Sequence, residues 1–442
     1  MRKTEPCFLT AAEAAAAMKA GTLTSETLIR SCLERIEARD PVVKAWLHVE
    51  PDLAIRQARE VDKRPVKGPL HGLPFGVKDI MDTFDMPTSY NSPSWQGHRP
   101  TRDAACVSIV RQAGAVILGK TDTVEFAFNS RKAASTNPYK SGHTPGGSSS
   151  GSGAAVGDFQ VQFAFGTQTA GSHIRPASFN GIYGIKPSWG AVSREGVHMI
   201  SAILDTIGWY GRSVDDLILG AQAFRLEGVE ALAVPEAKGL RIGYYETPFW
   251  DQAEPGAKAA MAASVDRLRK AGATVEEITV PAHFADLADA HMTVMWGDGR
   301  VALHDEYLHH GETIHPELRL TVEDKRGVTP KRLVEAYDFA DTCRREFDAI
   351  ASGYDAILAP AATGEAPKGL HTVGNWIFNG LWTLLHTPCV AIPAVFGEGG
   401  LPVGIQLVGP RLSDARLLAV AKALQSVIDV NADERFRILS AA

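Results

Sequence analysis

Segments with strand periodicity and segments with helix periodicity alternate along most of this chain, and that alternation limits the fold to the α/β class. Apolar or alternating runs predict strands at residues 115–118, 240–245, 275–280, 354–359 and 403–407. Helical periodicity predicts helices at residues 103–113, 257–270, 413–428 and through the charged segment 301–350. No polar linker divides these segments, so we expect one domain over residues 1–442, with a helical excursion at 285–350.

Two helix starts can be placed from local signals near the N-terminus. Thr10 and Glu13 have the spacing of a capping box, in which each side chain satisfies a backbone N–H of the other residue. A second amphipathic helix is predicted from Thr24, and we expect it to end at Asp40-Pro41 because proline removes a helical hydrogen bond.

Composition excludes several classes of protein. The 442 residues are 45% hydrophobic and 22% charged, which is typical of a globular chain. The net charge of −6 argues against nucleic-acid binding, and no apolar run approaches the ~18 residues that predict a membrane span. The five scattered cysteines favour a reducing compartment, and residues 1–21 lack the pattern of a signal peptide, so we expect a cytoplasmic protein.

Three sequence motifs match known functional sites, but the secondary structure predicted around them does not suit those sites. Residues 114–121 fit the phosphate-binding loop with Lys120 as its lysine, but their apolar centre predicts a strand where that loop needs exposed amides. Residues 147–151 fit the G-x-S-x-G nucleophile elbow, which needs a preceding strand that is missing here. His304, His309, His310 and His315 favour a solvated helix face, with a metal site as the alternative.

A Gly/Ser-rich tract at residues 137–153 lies between segments that we expect to be buried, which argues against a flexible linker. Lys78 precedes it, Ser148 lies within it, and Ser172 follows after 24 residues in the stretch GTQTAGSHIRPA. Each residue alone is an ordinary surface lysine or turn serine. Their order and surroundings together indicate a site.

These motifs resemble the amidase signature hydrolases. The likeness includes the Gly/Ser tract, the G-T-x-T-x-G-S segment and the continuation GIYGIKP at residues 181–187. It covers nearly the whole chain and is weakest at 285–350. The resemblance implies an α/β/α fold around a large mixed sheet. It also implies a triad in which Ser172 is the nucleophile, Ser148 follows a cis peptide bond and Lys78 is the base.

Within this family the motif is most similar to malonamidase, which shares GTQT and an arginine three residues after the nucleophile. That resemblance implies that Arg175 holds a substrate carboxylate in a bidentate pair. A structural Arg175 paired with an acidic neighbour is the alternative. Gln168 and Ala170 stand where many members have Asp and Gly. His173 replaces a small apolar residue, from which we expect a changed pocket shape.

Amide hydrolysis needs a nucleophile, a proton shuttle and stabilisation of the developing oxyanion. A serine hydroxyl needs an adjacent base, and Lys78 can serve only when burial keeps its amine neutral. Lysine is a long reach from Ser172, so Ser148 is expected to pass the proton. Backbone N–H groups of Thr169, Ala170, Gly171 and Ser172 are expected to form the oxyanion hole.

The sequence therefore predicts an amidase that cleaves a C–N bond of a small-molecule amide through an acyl-enzyme, on a carboxylated substrate such as malonamate. It is expected to need no metal and no cofactor, and to bind neither nucleic acid nor membrane; a homodimer is left open. The alternatives are a carbamate or aryl-amide hydrolase, an amidotransferase subunit that works with partner chains, and a nucleotide-binding protein. Trp376, Phe378 and Trp382 are expected to pack in the core.

Overall fold

The structure is a computed structural model that describes residues 5–66, 68–128 and 130–442. Residues 1–4, which begin the segment that lacks a signal-peptide pattern, lie outside the described residues. Eleven strands form one sheet. The strands in chain order are β1 (Trp46–Val49), β2 (Pro74–Lys78), β3 (Val116–Thr121), β4 (Phe163–Gln168), β5 (Tyr183–Lys186), β6 (Thr206–Gly211), β7 (Arg241–Tyr244), β8 (Thr274–Glu277), β9 (Ala356–Pro360), β10 (Cys389–Phe396) and β11 (Pro402–Val408).

The sheet is mixed, in the order β1-β3-β2-β4-β6-β5-β10-β11-β9-β7-β8. β2 runs parallel to both β3 and β4, and β7 runs parallel to β8 and β9, while the other pairs are antiparallel. Every residue of β2, β3, β4, β5, β6, β9 and β11 is buried. Because successive side chains point to opposite faces, both faces of the sheet are covered, which confirms the predicted α/β/α layers.

Helices supply the two outer layers. They are α1 (Ala11–Lys19), α2 (Ser25–Val43), α3 (Pro51–Asp62), α4 (Ala105–Gln112), α5 (Ser150–Gly157), α6 (Ile174–Phe179), α7 (Val214–Ala223), α8 (Pro255–Lys270), α9 (Leu287–Ala302), α10 (His304–His310), α11 (Pro316–Val322), α12 (Pro330–Ala351), α13 (Ile377–Leu384), α14 (Asp414–Ile428) and α15 (Ala432–Ser440). Among the helices of the described residues, none combines the length and apolar character that crossing a membrane requires.

The bounds of α1 and α2 can be compared with those predicted from the capping box and from Asp40-Pro41. The capping box between Thr10 and Glu13 is present at the start of α1, as predicted. The predicted end of α2 at Asp40-Pro41 is wrong, because the helix continues through Pro41 to Val43. The backbone O of Asp40 accepts from Lys44 N–H at 2.8 Å and its Oδ1 accepts from Ala45 N–H at 2.6 Å. These two bonds close the last turn beyond the proline.

The charged segment at 301–350 is helical, as predicted, but it is divided into several helices and the first of them begins earlier. Pro316 and Pro330 each stand in the first turn of a new helix, where the missing N–H costs no intrahelical bond. The helical layer here therefore consists of α9 to α12, with α9 and α12 packed together.

Lys120 lies on a buried strand rather than on a phosphate-binding loop. Residues 116–121 form β3, and Lys120 Nζ is 3.0 Å from Asp79 Oδ1 and 2.9 Å from the backbone O of Met81. The pair ties β3 to the residue that follows Lys78. The segment cannot wrap a phosphate while its amides are in the sheet, so the pattern match at 114–121 has a structural explanation.

Candidate active site

Lys78 is the last residue of β2, at the carboxyl end of a strand whose side chains are all buried. Its Nζ lies 2.8 Å from Ser148 Oγ, 3.0 Å from Ser149 Oγ and 2.7 Å from Thr167 Oγ1. Three hydroxyls can satisfy either form of this group: all three accept from an ammonium, or one of them donates to the lone pair of a neutral amine.

Burial decides the protonation state of this lysine. The side chain is 0% exposed, and desolvation holds the pKa of Lys78 well below its ordinary value, with Asp205 opposing that shift. Among the ion pairs of the described residues, none includes Lys78. Without an adjacent carboxylate the amine has little to hold its charge, so it is suited to act as a base.

Ser148 and Ser149 lie at the turn that leads into α5. The peptide bond between Gly147 and Ser148 is cis, as the family resemblance implies. Ser149 links the two serine segments: its N–H is 3.4 Å from the backbone O of Ser172, and its Oγ accepts from Thr167 N–H at 3.1 Å. The turn is therefore attached both to β4 and to the segment of Ser172.

Thr169–Ser172 form the turn between β4 and α6, and β4 lies beside β2 in parallel. This register brings Lys78 and Ser172 to one edge of the sheet. In the part of the chain that is described, the backbone N–H groups of Ala170, Gly171 and Ser172 have no hydrogen-bond acceptor. The next two N–H groups, of His173 and Ile174, donate to Gln168 Oε1 at 3.2 and 3.0 Å.

Gln168 therefore separates two sets of amides. It caps the first turn of α6, and its Nε2 donates to Thr383 Oγ1 at 3.0 Å. The amides of Ala170, Gly171 and Ser172, which precede those of His173 and Ile174, have no acceptor among the described residues, and an oxyanion site requires such donors. Gly171 is needed here because a Cβ would lie 2.8 Å from Asn379 Oδ1 and 3.1 Å from Arg175 Nη1.

Side chains from distant elements fasten this turn. The Thr169 hydroxyl donates to Asp205 Oδ1 at 2.6 Å, and the Thr169 carbonyl accepts from His291 Nε2 at 2.8 Å. The Thr383 hydroxyl lies 3.3 Å from the backbone O of Ala170. Burial lowers the pKa of His291 to about 4, so its imidazole is neutral at pH 7 and its Nε2 carries the proton in this bond. The carbonyls of the turn are thus held away from the open amides.

Arg175 is buried in α6, one turn beyond Ser172, and is 3% exposed. Its Nη2 donates to the backbone O of Gly147, so the arginine holds the turn that carries Ser148. Its Nε and Nη1 have no hydrogen-bond partner among the described residues, and no acidic side chain forms an ion pair with it there. The structure does not provide the acidic neighbour that the structural alternative required. Burial lowers the pKa of Arg175 to about 10, which leaves it charged at neutral pH.

A cavity of about 190 Å³ joins these groups. Ser148, Ser172, Ala170 and Arg175 lie on its polar side. Its apolar side is formed by Val124, Ala127, Phe128, Ile200, Met292, Met295, Trp296, Val373 and Trp376. The described residues contain no hydrogen bond between the Ser148 and Ser172 hydroxyls, although both face this cavity.

Comparison with known proteins assigns the chain to a family. Residues 27–418 match the family described as Amidase. The chain is 32% identical to a subunit of the glutamyl-tRNA(Gln) amidotransferase of Chloroflexus aggregans, over 96% of this chain and 98% of that one. This chain belongs to the amidase family.

Solved amidase structures share the fold over most of the chain. The native peptide amidase of Stenotrophomonas maltophilia has a TM-score of 0.81 and 29% identity, covering 95% of this chain and 97% of that one. A second solved structure comes from work on a vestigial protein complex and the evolutionary origins of an s-triazine catabolic enzyme. It has a TM-score of 0.85 and 27% identity, and the match covers 95% of this chain and 98% of that one. Membership of the amidase family is confirmed, whereas the closer likeness to malonamidase stays a prediction.

Two residues singled out in the sequence can be placed. His173 is not among the described residues that line the cavity, and a changed pocket shape stays a prediction. Its ring is stacked on Tyr210 at 4.0 Å, and Cβ atoms at Gly166 and Gly208 would lie 2.3 and 2.9 Å from it. Trp376 is part-buried: it lines the cavity and also packs against the hydrophobic cluster of Ala253, Ala257, Ile377 and Phe378. Phe378 and Trp382 are buried as expected.

Sequence reasoning missed the residues that hold the turn at residues 169–172, here named the oxyanion turn because the sequence predicts the oxyanion hole there. His291 comes from α9, in the segment where the resemblance is weakest, and Asp205 and Thr383 come from other distant segments. No local pattern marks them, because their role depends on contacts across 36 to 213 positions of sequence. The four histidines at 304–315 are separate from the site: His309 contacts Asp305 at 3.2 Å, and His315 caps α11.

Replacing Lys78 with Met should flatten the pH dependence of stability. Burial lowers the pKa of Lys78 in the folded protein, so its amine is neutral above that lowered pKa. In the unfolded chain the same amine stays protonated up to the ordinary lysine pKa of about 10.4. The unfolded state binds more protons in that window, so the wild-type free energy of unfolding rises with pH there, and Lys78→Met loses this rise. Urea titrations at about pH 8.5 and about pH 10 measure the difference.

The control is Lys331→Met, an exposed lysine on α12 whose side chain is 85% exposed. It should keep the wild-type rise. Equal pH dependence in wild type and Lys78→Met would show that Lys78 titrates as an ordinary lysine and would remove the physical basis for its role as a base.

Proposed function

We propose that this protein is an amide hydrolase that cleaves a small carboxylated amide through an acyl-enzyme on Ser172. One observation carries the proposal: the fully buried amine of Lys78 is bonded to the hydroxyl of Ser148, and Ser148 lines a cavity together with Ser172. The open amides beside Ser172 supply the second requirement of acyl transfer. Family membership supports the reaction class, and the substrate is our inference from the cavity.

In the acylation step, Ser172 Oγ attacks the amide carbon and transfers its proton to Ser148 Oγ. Ser148 passes its own proton to the neutral Nζ of Lys78. The relay needs the Ser172 hydroxyl to turn toward Ser148 when substrate enters; such bonds are often formed only in the substrate complex. The amides of Ala170, Gly171 and Ser172 stabilise the oxyanion, and each donor of this kind is worth ~10²–10³ in rate.

Collapse of the tetrahedral intermediate breaks the C–N bond. The proton held by Lys78 returns through Ser148 to the leaving amine, which departs as a neutral molecule, and Lys78 is again uncharged. Water then attacks the ester carbon and gives its proton to the same relay. Protonation of Ser172 Oγ as the ester breaks releases the carboxylic acid and restores the free enzyme.

Arg175 supports the choice of a carboxylated substrate. Arg175 lines the cavity, two of its nitrogens are buried without a hydrogen-bond partner among the described residues, and its charge has no ion-pair partner there. Lys132 also lines the cavity, so the polar side carries two cationic groups. A buried cation without a counter-ion is costly, and a substrate carboxylate would offset that cost by a bidentate pair. Malonamate, a small amide with one carboxylate, is our test substrate.

A second candidate function is that of an amidotransferase component. The observation that favours it is the 32% identity to the Chloroflexus aggregans amidotransferase chain over nearly both full lengths. Such a chain would use the same serine to release ammonia for a partner. Size-exclusion chromatography with an activity assay of the eluted protein distinguishes the candidates. A hydrolase that works alone should elute as a monomer or a homodimer and should be active without a partner chain. A carbamate or aryl-amide substrate remains the alternative within the hydrolase class.

Ser172→Ala should abolish hydrolysis while leaving the fold intact. Without the nucleophile we expect a loss of at least about 10³-fold in kcat/KM. The measurement is amine release from a panel of small amides, carbamates and malonamate, with circular dichroism as the check on folding. Ser193→Ala, an exposed serine outside the cavity, is the matched control and should retain wild-type rates. Turnover by Ser172→Ala near the wild-type rate would refute the assignment.

The rate should rise with pH and reach a plateau as Lys78 loses its proton. Because burial lowers the pKa of Lys78, the midpoint should lie below the ordinary lysine value of about 10.4. The measurement is kcat/KM for the best substrate of the panel, with a solvent isotope effect to establish that chemistry limits the rate. A profile that is flat from about pH 6 to about pH 10 would contradict a lysine base.

Arg175→Gln should lose activity selectively on carboxylated substrates. Glutamine retains a donor for the Gly147 carbonyl but removes the charge, so kcat/KM for malonamate should fall by about 10–10²-fold relative to that for the neutral malonamide, the value of one charged hydrogen bond. The measured quantity is the ratio of the two constants in each enzyme. An equal loss on both substrates would mean that Arg175 acts only by holding the turn of Ser148.

A further inference from the structure

His283, Cys343 and Glu346 bring a nitrogen, a sulfur and an oxygen together outside the candidate active site. Their donor atoms all lie within 4.8 Å of one another, and His283 Nε2 is 2.7 Å from Glu346 Oε2. Among the described residues, this is the one group of histidine, cysteine and acidic side chains with such spacing.

The fold places these side chains firmly. Cys343 and Glu346 are three residues apart on α12, so they share a face of that helix. His283 comes from the 3-10 turn Ala282–Asp286, which leads directly into α9. The His283 ring packs edge-on against Phe339 at 5.9 Å, one turn before Cys343 on α12. The imidazole is therefore oriented by a contact that does not involve its nitrogen atoms.

The burial of the three residues is graded from the core to the surface. Cys343 is buried, whereas the side chains of His283 and Glu346 are 39% and 35% exposed. An ion could reach the group from solvent between the imidazole and the carboxylate, with the sulfur at its inner end.

An ordinary surface ion pair accounts for only part of this arrangement. The contact between His283 and Glu346 would need no cysteine, and exposed pairs of this kind contribute little to stability. His309 and Asp305 form such a pair at 3.2 Å on α10. The group of His283, Cys343 and Glu346 differs from such a pair because the sulfur of Cys343, a soft donor, lies within 4.8 Å of the donor atoms of both other residues.

We propose that His283, Cys343 and Glu346 form a binding site for a zinc-class divalent cation. Imidazole, thiolate and carboxylate are ligands that Zn²⁺ accepts in tetrahedral geometry, with a water molecule as the fourth ligand, whereas Mg²⁺ and Ca²⁺ prefer oxygen alone. Small movements of the side chains bring the three donors to bonding distance of a common centre. Binding replaces the proton on Cys343 Sγ, which is released to the buffer while the sulfur keeps its electron pair for the metal.

An ion at this position would join the turn 282–286 to α12. α9 begins at Leu287 and supplies Met292, Met295 and Trp296 to the wall of the candidate active-site cavity. A bound ion would thus stabilise the position of α9, which forms part of the cavity wall. The site depends on neither the reaction nor the substrate proposed above.

Cobalt titration of the purified full-length protein, treated first with a chelator, tests the site. We expect one equivalent of Co²⁺ to produce a near-ultraviolet band from sulfur-to-cobalt charge transfer, and Zn²⁺ to displace it. Cys343→Ala should lose the band, while Cys106→Ala, which changes a buried cysteine elsewhere, should retain it. His283→Ala should weaken Co²⁺ binding by more than about tenfold, since even outer ligands of metal sites contribute about 10–100-fold.

His309→Ala is the control for His283→Ala and should bind Co²⁺ as the wild type does. Glu346→Gln keeps the shape of a part-exposed side chain, so it reports on the site even where Cys343→Ala fails to fold, and it should also weaken binding. The proposal is overturned if the wild type shows no charge-transfer band. It is equally overturned if the band persists in folded Cys343→Ala, or if His283→Ala and Glu346→Gln both bind with wild-type affinity.

Discussion

The candidate active site depends on keeping one lysine amine uncharged inside the protein. Lys78 is carried into the interior by β2, whose five residues are all buried, and the ammonium form would lose its hydration there without gaining a carboxylate. Three hydroxyls satisfy the neutral amine instead. Its neighbour Asp79 has the opposite arrangement, since it is paired with Lys120 of β3. Lys78 and Lys120 are thus both buried, on adjacent strands, but within the described residues only Lys120 has a carboxylate partner.

Selective pairing of polar groups also organises the turn before α6. A helix begins with several N–H groups that have no partner within the helix. Gln168 satisfies two of them, and the three amides that precede remain available at the cavity. The side-chain amide of Gln168 also donates to Thr383 of α13, so one residue joins the start of α6 to that helix.

The helices α9 to α12 lie in the segment where the resemblance to the amidase signature family is weakest. α9 contributes the donor that holds the Thr169 carbonyl and much of the apolar cavity wall, while α12 packs behind it. Changes in this layer can alter the shape of the substrate cavity without touching Lys78, Ser148 or Ser172. The position of Arg175 is different, because it lies in the small-residue core of the site and contacts the turn of Ser148 as well as the cavity. One side chain therefore links the cavity to the turn that carries Ser148.

Local periodicity was sufficient to predict the α/β class and five of the eleven strands, because alternation of buried side chains is a property of neighbours in sequence. The layered mixed sheet was predicted from the resemblance to the amidase signature family. The resemblance, based on the Gly/Ser tract and the order of Lys78, Ser148 and Ser172, pointed to these three residues; in the structure Lys78 contacts Ser148, and Ser148 and Ser172 line one cavity. Sequence did not reveal that α2 passes through Pro41, that Gln168 caps α6, or that His291, Thr383 and Asp205 fasten the oxyanion turn. Each of these rests on a hydrogen bond or a packing contact whose partner is chosen by the folded chain. The sequence by itself determined the chemical groups and the elements that carry them. The tertiary structure alone decided which polar groups are satisfied and which stay open, because that depends on residues that come together only when the sheet and its helical layers assemble.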